Sequence, residues 1–131
     1  MRYHKTIGCA LIFVRPNDQS LSLEQFSEQV FGKLCITNFV GFSPCQGELD
    51  YHGHAAGIEV LVYDIHEDAE SQYPFLLCLK PEVAFGDKDY LVEHARNLAK
   101  HWSQSSGWHC FVPDENIYNI TSERDGTVFA A

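Results

Sequence analysis

Long apolar runs are missing from this chain. No stretch approaches the roughly 20 residues that a membrane-spanning helix needs, so no spanning segment is expected. Arg2 and Lys5, followed by the apolar stretch 7–14, imitate the start of a secretion signal, but no small-residue cleavage site follows. Arg15-Pro16-Asn17-Asp18 reads instead as a charged turn closing a strand. Catalytic signatures are missing too: there is no G-x-x-x-x-G-K, G-x-G-x-x-G, G-x-S-x-G or H-E-x-x-H pattern. The nucleotide-binding and hydrolase classes that depend on those patterns lose their support. The five cysteines, Cys9, Cys35, Cys45, Cys78 and Cys110, are odd in number, widely spaced and without a C-x-x-C pair. Neither a disulfide framework nor a zinc knuckle is implied, and a reducing, cytoplasmic compartment is expected. Asn119-Ile120-Thr121 matches a glycosylation acceptor that such a compartment leaves unused. No fixed-period repeat, low-complexity block or Gly/Ser-rich linker divides the chain.

What is present fits one domain, 1–131, with a single core: 131 residues, of which 45% are hydrophobic and 21% charged. The formal net charge is −9, the wrong sign for a surface that must neutralise phosphates, so direct nucleic-acid binding is not expected.

Residues 6–14 are apolar on both faces and read as a strand central in its sheet, with Cys9, like Cys78 further on, as a buried thiol. A helix follows, capped by Ser20 or Ser22, with Leu23, Phe26 and Val30 as its apolar stripe, Ser22 and Gln25 in capping-box spacing, and an end near Gly32. The helical period then vanishes, and the runs 36–42, 48–52, 58–65 and 73–79 have strand character, as a meander. In the third run Ile58, Val60 and Val62 share one face, with Glu59, Leu61, Tyr63 and Ile65 on the other. A second helix starts at Asp87, with Asp87 and Asp89 in its first turn, Lys100 and His101 in its last, and Gly107 as its stop. Leu91, Ala95, Leu98 and Trp102 form its stripe, and Glu93 and Arg96 can pair on its outside. Runs at 108–112, 117–121 and 127–130 follow, the last two joined by the turn Arg124-Asp125-Gly126. The expected class is α+β in the order β-α-β-β-β-β-α-β-β-β, a mixed or antiparallel sheet of about five to seven strands with two helices. Two helices can cover one face of such a sheet; the other must be covered by loops, a second sheet layer, a partner or a second copy of the chain.

The most informative absence is that of basic residues. Residues 34–79 hold no lysine or arginine but seven acids: Glu48, Asp50, Glu59, Asp64, Glu67, Asp68 and Glu70. Uncompensated acids repel one another, so the pattern points to a cationic visitor, a basic protein or metal ions, unless it serves only solubility. A focused negative patch also steers a positive partner to fast association, and carboxylates can stand where a nuclease would hold phosphates. In size and charge the chain resembles small acidic bacterial immunity proteins, which neutralise toxic nuclease domains; no residue role is carried over from that likeness. The expectation is a non-catalytic acidic protein that neutralises a basic partner through the seven acids, without a cofactor.

Two other readings stay open. His52 and His54, two apart on a strand, point to one side and can share a metal ion, with Glu48, Asp50 or Cys45 completing the site of a small metal-binding domain or enzyme. A homodimeric structural subunit is the other. Tyr90, His94, Asn97 and His101 line one border of the second helix, either as boundary packing or as a binding edge. His109 and Cys110 are adjacent, but strand neighbours face opposite sides, so they do not form a nucleophile–base pair.

Overall fold

In the computed structural model, residues 10–18, 20–42, 50–55, 57–64, 73–81, 88–114 and 126–130 are described. They form one antiparallel sheet with two helices, an α+β fold. The strands are β1 (Ala10–Arg15), β2 (Val40–Phe42), β3 (Asp50–Ala55), β4 (Ile58–Asp64), β5 (Phe75–Pro81), β6 (His109–Pro113) and β7 (Gly126–Phe129), in the spatial order β2-β3-β4-β5-β1-β6-β7. The helices are α1 (Leu23–Lys33) and α2 (Lys88–Ser106).

β1 is flanked on both sides, by β5 and β6, which is what its two apolar faces require. The chain leaves β1 through α1 to the far strand β2, returns as the meander β2-β3-β4-β5, then crosses by α2 to β6 on the other side of β1. Because every pairing is antiparallel, β1 runs parallel to β2, and β5 to β6. The two crossovers are therefore related by a half-turn about the sheet normal, and right-handed connections of that kind lie on the same face. One core under both helices results: Phe26, Val30 and Phe31 of α1 and Leu91, Ala95 and Trp102 of α2 meet Ile12, Val14, Val60, Val62 and Leu77. Phe26 stacks on Phe75 at 4.1 Å between ring centres and touches Trp108, which in turn meets Trp102 edge-on.

The opposite face carries Leu11, Phe13, Leu61, Tyr73, Leu76, Cys78 and Phe111, all buried although neither helix covers them. The homodimer reading thus loses the exposed apolar face that motivated it. The alternation expected for 58–65 is observed over 58–63, where Ile58, Val60 and Val62 face the helices and Glu59, Leu61 and Tyr63 face away; Ile65 lies outside the described residues.

Local signals explain the helix ends. Ser22 accepts from the Gln25 N–H while Gln25 accepts from the Ser22 N–H, the expected capping box. α1 ends at Lys33, next to the expected stop at Gly32, but Gly32 is not the residue that turns the chain. Cys35, at φ +57, occupies the left-handed position, with Cys35 N–H to the Gly32 carbonyl and Ile36 N–H to the Phe31 carbonyl at 2.8 Å. This is a Schellman ending built without glycine. Gly107 at φ +71 does stop α2, but the helix runs on to Ser106, so Lys100 and His101 lie before its last turn and not in it. Arg96 pairs with Glu93 at 3.3 Å as expected, and also with Asp114 at 2.9 Å, tying α2 to the end of β6.

The run 36–42 was expected as one strand, yet only Val40–Phe42 pairs with β3. Ile36 and Phe39 are apolar for another reason: Ile36 is in the core, and Phe39 stacks on Phe31. Gly53 lets α1 lie this close to β3, since a Cβ there would stand 2.8 Å from Phe31 and 2.9 Å from Ile36. The last strand, β7, pairs with β6; the run 117–121, expected as its hairpin partner, lies with the turn residues Arg124 and Asp125 outside the described residues. Residues 6–9, and with them Cys9, lie outside them too.

Candidate partner-binding surface

Of the seven acids, three are described. Asp50 and Glu59 lie on the face away from the helices, at opposite ends of the β3–β4 pair, and Asp64 lies on the helix side at the end of β4. Asp50 is 4% exposed and so is not presented to a visitor, whereas Glu59 and Asp64 are half-buried at the surface. Glu48, Glu67, Asp68 and Glu70 lie outside the described residues.

The fold adds acids that the window 34–79 does not contain. Because α1 packs on β3 and β4, its exposed Glu24 and Glu28 join the meander. Their field is felt at Tyr51 of β3, whose hydroxyl is held above its ordinary 10.0 first by burial and then by Glu24 and Glu28. The single base on α1, Lys33, turns away: it donates to Ser106 Oγ and lies 4.8 Å over the Trp108 ring, beside the end of α2. Along the sequence, the acidic stretch therefore extends over residues 16–79, with ten acids and one base. The remainder holds eight of each, among them Lys80, which stands on β5 opposite Glu59; among the described residues, α1 and the meander carry Glu24, Glu28, Asp50, Glu59 and Asp64 against Lys33 and Lys80. The sequence signal for this was the gap in basic residues between Arg15 and Lys33, legible only once α1 was known to lie on the meander.

His52 and His54 do share a face, as two-residue spacing demands. His54 Nε2 stands 3.8 Å from a Glu59 carboxylate oxygen across the strands. Among the described residues no three His, Cys, Asp or Glu side chains gather as metal ligands; Cys45 and Glu48 lie outside them. His109 and Cys110 separate as expected: Cys110 is in the core beneath the helices, and the His109 ring lies 5.6 Å from Tyr73 on the other face. Burial pushes the Cys110 thiol up to about 12, which leaves almost no thiolate for nucleophilic attack at neutral pH. Along α2, Tyr90 and His94 stack with their rings within 2° of parallel, and Asn97 and His101 are exposed beyond them.

Comparison with protein-family models, with curated proteins and with solved structures returns no match. Among the described residues, no helix is long and apolar enough to cross a membrane.

Proposed function

We propose that this chain is a non-catalytic binding protein that neutralises a basic protein partner, an immunity protein of the bacterial cytoplasm whose partner is a nuclease-type toxin domain. The observation that carries this reading is the placement of the whole net charge in residues 16–79, with no lysine or arginine from 34 to 79. Such a concentration of like charge opposes folding through self-repulsion, and a cationic partner relieves it. Carboxylates set against the phosphate-binding cleft of a nuclease mimic the charge of its substrate and exclude it.

The test is capture from a lysate of the source cells at low salt, with elution by rising salt, followed by rebinding of the eluted protein to a charge-reversed variant. One basic protein should be recovered in stoichiometric amount, and Glu67→Lys, Asp68→Lys and Glu70→Lys together should weaken its binding and flatten the salt dependence. Unchanged affinity and salt dependence in that variant would sink the proposal.

A further inference from the structure

The acidic half of the sheet ends in an edge. β2 is paired on one side only, with β3, and is the outermost strand among the described residues. Val40 is 63% exposed there, and Thr37, Asn38 and Gly41 are exposed around it. The two faces of this edge differ. Val40 stands opposite His52 on the face away from the helices and presents an apolar side chain. Gly41 stands opposite Tyr51 on the helix side, where the row Ile12, Leu77, Val62, Tyr51 ends at a residue with no side chain. Glu24 and Glu28 are exposed on α1, which packs on β3 and β4 on this same side of the sheet.

An added strand would lie about 4.8 Å beyond β2 with its side chains alternating between these two environments. On one face it would meet Val40, and on the other Gly41, which has no side chain, on the side of the sheet where α1 carries Glu24 and Glu28. Building on the proposed function, we infer that the outer edge of β2 receives an extended segment of the basic partner as an added strand. In that segment arginine or lysine alternates with an apolar or β-branched residue, and one basic side chain crosses Gly41 toward Glu24 and Glu28. A three-residue strand offers too few backbone hydrogen bonds to hold such a segment alone, so the charge must supply much of the affinity. The other edge, β7, fits this less well: Val128 is 37% exposed there, but that half of the chain is electrically balanced.

The test uses the full chain and two peptides of about eight residues at low salt: one alternating arginine and valine, the other with the same residues in two blocks, each followed by amide spectra and hydrogen exchange. The alternating peptide should shift the amides of 40–42 and slow their exchange, bind about tenfold more tightly than the blocked one, and lose about tenfold in Glu24→Gln/Glu28→Gln. Binding that leaves the amides of 40–42 unmoved would overturn this inference and leave the acidic-partner reading standing. Failure of both peptides and of polylysine to bind would overturn both.

Discussion

The two sides of β1 solve the same folding problem and differ in charge. On one side a meander lies under α1; on the other β6 and β7 lie under α2; both helices use the same face and share one core. Yet residues 16–79 carry the entire formal charge of −9, and the rest of the chain balances eight acids with eight bases. The balanced side shows what the fold needs: Arg96 joins Glu93 and Asp114, linking helix to sheet. The excess of acids on the other side has no part in that linkage, and we read it as serving a partner.

If the two sides share a core, truncating the main aromatic of either helix must unfold both. Phe26→Ala in α1 and Trp102→Ala in α2 should each cost about 3–5 kcal/mol and leave a single transition in urea; two separate transitions would break the comparison.

Alkaline pH separates the sides next. Burial pushes the Cys110 thiol of β6 up to about 12 in the folded chain, from the ordinary 9.0. The folded state holds this proton more tightly, so the stabilisation is complete below about pH 9 and is lost toward pH 12 at about 1.4 kcal/mol per unit. Tyr51 of β3 adds a loss above its ordinary 10.0, and because Glu24 and Glu28 contribute to its shift, only the Tyr51 part should shrink in high salt. Unfolding free energies from pH 8 to 11, with and without 0.5 M salt, in the wild type and Cys110→Ala would show both effects.

Gly53→Ala should cost about 1–3 kcal/mol, because Phe31 and Ile36 must move to admit the methyl group. A loss much smaller than this in urea unfolding would mean that α1 does not press on the meander as described. The smallest effect runs the other way: Cys35→Gly should raise stability by about 0.5–1 kcal/mol by relieving the left-handed strain at the end of α1.

Much of this fold was legible in the chain. Apolarity on both faces of 10–14 signalled a central strand, Ser22 and Gln25 marked the start of α1, and the alternation in 58–63 matched its final register. The residue that turns the chain after α1 was not legible, because cysteine rarely takes the left-handed position and no residue type announces it. Nor could a period distinguish Ile36 and Phe39, which pack against α1, from strand residues. The candidate surface was half legible. The missing bases of 34–79 can be read directly, but the membership of Glu24 and Glu28, and the burial of Asp50, depend on which strands α1 covers and on how β3 is packed.

The most direct test of the account is the association rate of the captured basic partner with two variants of equal charge, measured across salt concentrations. In one, Glu24, Glu28 and Glu59 on the acidic side become glutamine; in the other, Asp87, which lies outside the described residues, Asp89 and Glu93, all from the balanced remainder of the sequence, become asparagine or glutamine. We predict that the first slows association about tenfold at low salt and flattens its salt dependence, while the second changes it little. Equal slowing by both would show that the partner senses only net charge and would contradict a binding surface on α1 and the meander.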